Sequence, residues 1–469
     1  MGLGARIGNG KGYTMYTRAR HGSLTARAPW QWFALAILPF AWAHTARAVP
    51  EFARQTGQAC NACHVGGFGP QLTAFGRSFK LGGYTLSTKS GFNAPLSAML
   101  VETYTHTSKD LSGPAGPHAG SNDNGSLQQL SLFAAGRLGE HIGMLGQVTY
   151  SDIDRKVAMD NVDVRYARNF SRGGHGGVFG ITLNNNPTVS DLWNTLPAWK
   201  FPYMAPELAP GPSASPLIYG GLGQQVIGAG AYVSLDNRYY GEVGAYRTLS
   251  RSLLDTFNVD YGGRLAGAAP YWRLTWSRDW NGQTLMFGLV GLTARLQPDG
   301  AGTPADRFRD VGVDGAYERY FDGGNAFTVN ASYVHEKQTL DATFAGAGAE
   351  RTSHTLDAAS LDASYYFHDT YGATLGWFNT TGTRDAILFS PDPDGGSATG
   401  NPASRGEIVQ VDWTPFGKRD SWAEPWANLR IGVQYTIYDK FNGASRNYDG
   451  FGRNASDNDT LFVFLWTAF

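Results

Sequence analysis

The sequence predicts an all-β fold, a transmembrane β-barrel of about sixteen strands closed by a short N-terminal segment that acts as a plug. Three observations carry that prediction. Composition is the first: 61 of the 469 residues are Gly, 13% are aromatic and only 16% are charged, against roughly 7% Gly and 25% charged residues in soluble proteins. The second is a run of segments with period-two alternation from residue 95 to the C-terminus. The third is an export signal with no later apolar run long enough to cross a bilayer as a helix, which leaves a closed barrel as the way to span one. The aromatics exclude a disordered chain, and two cysteines in 469 residues exclude a disulfide-stapled mini-protein.

The signal occupies residues 1–48. Arg6, Lys11, Arg18, Arg20 and Arg27 precede the apolar stretch Trp30–Ala43, and Ala46-Arg47-Ala48 follows as a small-x-small cleavage site. The apolar core falls short of the ~18–20 residues of a membrane anchor. The mature chain therefore starts near Val49. Six Lys and Arg leave with the signal, so 32 basic residues remain against 39 acidic ones. No basic patch remains to bind nucleic acid.

Next comes Cys60-Asn61-Ala62-Cys63-His64, the C-x-x-C-H pattern of covalent c-type haem attachment. Two thiols one turn apart match the two vinyl groups of one porphyrin, and the adjacent His is held beneath the iron. A thiol–disulfide pair would come with a βαβ context, which residues 50–90 lack. Zinc would need a fourth ligand. The expected cofactor is one covalent haem c, bound by Cys60 and Cys63, with His64 as axial ligand to the haem iron. The segment, residues 49–94, holds no Met and no second His. Its ~35 residues before Gly83 are too few to fold alone around a porphyrin, so the rest of the chain must house the group.

Residues 95–469 form the barrel. Candidate strands are 95–107, 127–138, 141–151, 160–168, 177–183, 225–236, 239–248, 269–279, 283–295, 308–321, 326–338, 356–368, 370–381, 405–414, 427–439 and 459–469. Ile142, Met144, Val148 and Tyr150 share one parity, as do Leu429, Ile431, Val433 and Tyr435, the apolar-out, polar-in pattern of membrane strands. Connections after even strands are mostly short, such as Asp236-Asn237-Arg238. Those after odd strands are generally long and rich in Gly, Pro, Asp and Asn, as in outer-membrane barrels. The chain ends on an aromatic-rich strand, Leu461–Phe469. Sixteen strands enclose a lumen wide enough for a channel or a haem-bearing plug.

With "FARQTGQACNACHVGGFGPQLTAFGRSFKLGGYTL" at 52–86 and "ITLNNNPTVSDLWNTLPAWKFPY" at 181–203, the chain resembles the fused monohaem cytochrome–porin family, the outer-membrane iron-oxidising c-type cytochromes. The resemblance implies the bacterial outer membrane as location. It implies electron transfer from extracellular Fe(II) or another donor to a periplasmic c-type cytochrome or other carrier. A passive porin with a structural haem plug, or a conduit for a non-iron donor, remains compatible with the residues.

Further candidates surround this reading. Met99, His106, His118, His141 and His368 are candidates for a distal haem ligand, the last two because they fall on the polar parity of their strands. Arg77 and Lys80 are candidates to pair with the haem propionates. Segment 184–203 is too apolar for a solvated loop and is expected to fold over or into the lumen. Asp392, Asp394, Asp457 and Asp459 lie in external loops; they are hard oxygen donors of the kind Fe(II) or Ca²⁺ takes, although an acidic loop is usually just solvated. His335-Glu336 lacks the second His of a zinc protease and no G-x-S-x-G occurs, so hydrolase chemistry has no support.

Overall fold

The computed structural model describes residues 51–88, 96–300, 302–419, 421–423 and 426–469. The expected signal, residues 1–48, and its cleavage site lie outside the described residues. Sixteen long strands run β1 (Leu96–Thr107), β2 (Asn124–Arg137), β3 (Ile142–Ser151), β4 (Lys156–Arg172), β5 (His175–Asn184), β6 (Val226–Leu235), β7 (Tyr239–Thr248) and β8 (Ala269–Trp280). They continue through β9 (Gln283–Gln297), β10 (Asp306–Phe321), β11 (Asn325–Thr339), β12 (Ser353–Phe367), β13 (Tyr371–Gly382), β14 (Ser404–Trp413), β15 (Asn428–Lys440) and β16 (Thr460–Ala468). Each pairs antiparallel with its sequence neighbours, and a two-residue strand, Arg264–Leu265, adds to the edge of β9. The first and last strands pair as well, Met99 opposite Ala468 and Thr107 opposite Thr460. The sheet therefore closes with no free edge.

Alternation sorts the wall as the sequence predicts. On β15, Asn428, Arg430 and Gln434 are buried in the lumen while Ile431, Val433 and Tyr435 face outward. On β11, Thr328, Asn330 and Ser332 point inward and Tyr333 outward. Val243, Leu289, Val311 and Leu375 add to an outer surface that is apolar around the barrel. Only a surface solvated by acyl chains has reason to expose so many such side chains. The molecule is a porin-like β-barrel of the outer-membrane type.

The turns at one end are short, at 138–141, 173–174, 236–238, 281–282, 322–324 and 368–370, and most connections at the other end are long. Two links depart from the rule. The β14–β15 connection is long, as the sequence indicates. The β3–β4 link has only residues 152–155, because β4 starts four residues earlier than expected. A bulge between Gly146 and Val148 lets it follow β3 as far as Ser151 opposite Lys156.

The lumen is filled. Three short helices, α1 (Glu51–Thr56), α2 (Cys60–Cys63) and α3 (Ala74–Leu81), form a plug at the short-turn end. Above them the β5–β6 connection turns inward as expected, with Asn185, Thr188, Ser190, Leu192, Leu196 and Leu217 all buried. Leu196, Leu217, Ile218 and Leu222 pack on the inner wall against Tyr246, Tyr271, Val290, Leu292, Phe308 and Val334. Each such side chain contributes about 1.5–3 kcal/mol by leaving water, which explains why this apolar connection is not a solvated loop.

Candidate functional site

The motif cysteines form α2, a single turn, and the His64 N–H donates to the Cys60 carbonyl at 2.8 Å. One turn sets the two thiols on neighbouring positions, and neither forms a disulfide. The chain then doubles back: Val65 N–H donates to the Gln71 carbonyl at 3.0 Å, and Thr73 N–H to the Cys63 carbonyl at 2.9 Å. Thr73 also caps α3, its Oγ1 accepting from Gly76 N–H at 3.2 Å. Gly76 crosses α2 so closely that a Cβ there would stand 2.3 Å from the Cys63 oxygen. Only glycine permits that crossing.

Wall residues at the short-turn end hold this unit. Asn61 N–H donates to the Gly417 carbonyl at 2.9 Å, and Asn61 Nδ2 donates to Asp369 Oδ2 at 2.9 Å. Asn428 Nδ2 donates to the Gly67 carbonyl at 2.7 Å. Gly66, at φ +66°, lies flat on the Tyr366 ring, leaving no room for a side chain. The motif therefore sits in the mouth of the barrel on the side of the short turns.

Burial by the surrounding wall pushes the His64 imidazole down to about 4, and the Arg430 charge adds to that effect. The ring is neutral near pH 7, the form that offers a lone pair to a metal. Its Nδ1 is sealed from solvent with no hydrogen-bond partner among the described residues, while part of the residue's surface stays open. Burial pushes the Cys63 thiol up to about 12, with Cys60 adding to it. Two thiols and a neutral imidazole with an unsatisfied buried nitrogen are a donor set that fits a c-type haem.

The sequence candidates separate on this geometry. Cys60 and Cys63 bound one helical turn, with His64 at its C-terminal cap. Arg77 and Lys80 serve another purpose: Arg77 Nη1 lies 2.6 Å from Glu318 Oε1 and 2.8 Å from the Leu72 carbonyl. Lys80 Nζ donates to the Val189 and Asp191 carbonyls at 2.7 Å each. Both are buried, and both bolt the plug to wall and inward connection instead of standing ready for propionates. His141 and His368 do not face the lumen. They belong to turns, since β3 begins at Ile142 and β12 ends at Phe367, so strand parity does not govern them. His106 takes the outward parity of β1 and pairs with Asp123 at 2.8 Å. His118 is exposed in the first long connection. Met99 alone of the five is buried in the lumen, in a cluster with Phe68, Met204, Phe462, Phe464 and Trp466.

The acidic loop residues are tied into the fold. Asp394 accepts from Ser112 and faces Arg453 at 3.3 Å, Asp457 pairs with Lys109 at 3.2 Å, and Asp459 accepts from Tyr438 N–H at 2.8 Å. Among the described residues no three His, Cys, Asp or Glu side chains gather as a metal site. Sequence reasoning missed Met204, Arg430 and Trp466. Inward parity marks Arg430 and Trp466 as lumen residues, but no local pattern connects them with a motif more than 360 residues away.

No protein-family description matches the chain, and no curated protein does. Solved structures with a similar trace include the outer membrane channel DcaP of Acinetobacter baumannii, at 13% identity and TM-score 0.44, covering 81% of this chain and 100% of that one. The anion-selective porin of Comamonas acidovorans matches at 10% identity and TM-score 0.45, with 80% and 98% covered. OmpT, an outer membrane protein of Vibrio cholerae, in its trimer form matches at 10% identity and TM-score 0.44, with 80% and 98% covered.

Proposed function

We propose that this chain is a bacterial outer-membrane cytochrome–porin that passes electrons from an extracellular donor, Fe(II), to a periplasmic carrier such as a c-type cytochrome. The observation that carries the reading is the position of Cys60, Cys63 and His64 inside the mouth of a closed barrel, on the side of the short turns. Short turns face the periplasm in barrels of this type.

When bound, the haem would supply a one-electron centre held by the plug. The chain's own residues do the rest. Cys60 and Cys63 hold the group covalently, and His64 presents a neutral nitrogen to its iron. Asn61, Asn428 and Arg77 keep the plug seated. The inward β5–β6 connection lies over α3 and keeps bulk water from passing freely to the site. Donor and acceptor thus stay on opposite faces, and a metal that precipitates on oxidation never has to enter the cell.

The polar inner wall is also that of a solute channel. Plug and inward connection fill it, so passive conduction would require them to move. Anaerobic stopped-flow mixing of the purified protein with Fe(II) separates the two readings. Haem reduction supports the conduit, and open-channel conductance with an unreduced haem supports the porin.

A further inference from the structure

Trp466 on β16 and Arg430 on β15 are direct cross-strand neighbours facing the lumen. They are 8% and 1% exposed. The Trp466 Nε1–H is sealed from solvent and has no acceptor among the described residues. Its ring meets Phe68 at 4.8 Å between centroids, and the Arg430 Cζ lies 5.8 Å from the Phe68 ring centroid. Arg430 also donates to the Gly66 carbonyl at 3.4 Å and to Thr414 Oγ1 at 3.1 Å. Where a Cβ would stand on Gly69, Arg430 Nη1 is only 3.2 Å away. Both groups therefore line the loop that directly follows His64.

Indole N–H and guanidinium are donors only. A buried donor without an acceptor is costly, and native chains leave few of them. An unmet indole N–H set beside a buried guanidinium calls for an anionic acceptor. Asp412, at 3.6 Å from Arg430 Nε, faces the guanidinium and leaves the indole unmet. The first candidates for the haem carboxylates, Arg77 and Lys80, are already committed elsewhere.

We infer that Trp466 and Arg430 receive a carboxylate of the haem tethered at Cys60 and Cys63. This rests on the haem reading above. Both are positioning residues: they complete the plug's docking and partly neutralise a negative group close to the iron, which favours the ferrous state.

The test uses the haem-loaded full-length protein, with Trp466→Phe and Arg430→Gln. Phenylalanine keeps a ring against Phe68 and removes only the donor, which guards against loss of folding. Midpoint potential and the propionate bending band in resonance Raman are read for each. Trp466→Phe is expected to shift the band and lower the potential while the visible spectrum keeps its form, and Arg430→Gln to lower the potential further. A haem-loaded Trp466→Phe protein with unchanged band and potential overturns the assignment, as it would if a free anion such as chloride occupied the donors. A wild-type chain that carries no covalent haem overturns the functional reading and this assignment with it.

Discussion

Removing Arg77 should undock the plug and leave the barrel standing. Arg77 Nη1 and Glu318 Oε1 are 2.6 Å apart with side chains 8% and 2% exposed, and the same nitrogen holds the Leu72 carbonyl at 2.8 Å. Arg77→Met strands a buried carboxylate that keeps, among the described residues, only the Tyr320 hydroxyl, at 3.1 Å. Breaking one side of a buried pair costs about 3–5 kcal/mol, a factor of roughly 10² to 10³ or more in the docking equilibrium. The strand ladders lose nothing, because they are backbone bonds. Hydrogen exchange of residues 72–86 in the purified protein reads this directly. Protection of α3 should fall by that factor while β9–β12 stay protected. The double variant Arg77→Met/Glu318→Met should recover most of the loss, since no buried charge remains unpaired. Unchanged α3 protection in Arg77→Met, or a double variant as exposed as the single one, would show that this ion pair does not hold the plug.

Three other expectations follow from the same geometry. Cys60→Ala with Cys63→Ala should abolish haem staining after denaturation, because thioether bonds alone survive that treatment; persistent stain would show another attachment. Gly76→Ala drives a Cβ to 2.3 Å from the Cys63 oxygen, and should cut the yield of haem-loaded protein severalfold, which absorbance per chain measures. Burial holds the Lys80 ammonium down to about 7, with Arg165 adding to the shift, whereas a solvated lysine keeps its proton to ~10.4. Between those values the undocked plug binds more protons than the docked one, so docking strengthens as pH rises from about 7 towards 10. Proteolysis of the plug should slow over that range, and Lys80→Met should remove the trend.

The barrel was legible because its physics is local. Period-two alternation declares which side of a strand meets lipid, and residues 326–338 or 427–439 state it within a dozen positions. Strand ends were harder: β4 runs from Lys156 to Arg172, longer than its alternation, because a bulge in β4, with Asp160 and Asn161 opposite Gln147, interrupts its parity while pairing with β3 continues. His141 and His368 were misplaced for a related reason. Parity holds only while the backbone is extended, and both lie just beyond a strand end. Cys60, Cys63 and His64 stand out in the sequence because the covalent attachment proposed for them demands adjacent residues. The docking role of Arg77 and Lys80 does not, since their partners Glu318, Val189 and Asp191 are more than 100 positions away. Charge near a cofactor motif suggested cofactor binding, while the fold uses it for docking. Arg430 and Trp466 illustrate the converse, lumen residues whose relation to the motif exists only once the plug is seated.

The most direct test of the account mixes purified, haem-loaded protein in detergent with Fe(II) under anaerobic conditions and follows the haem absorbance. Conversion to the ferrous spectrum is expected, with a rate that rises with Fe(II) concentration. A covalently attached haem that dithionite reduces but Fe(II) leaves ferric at every concentration would contradict it.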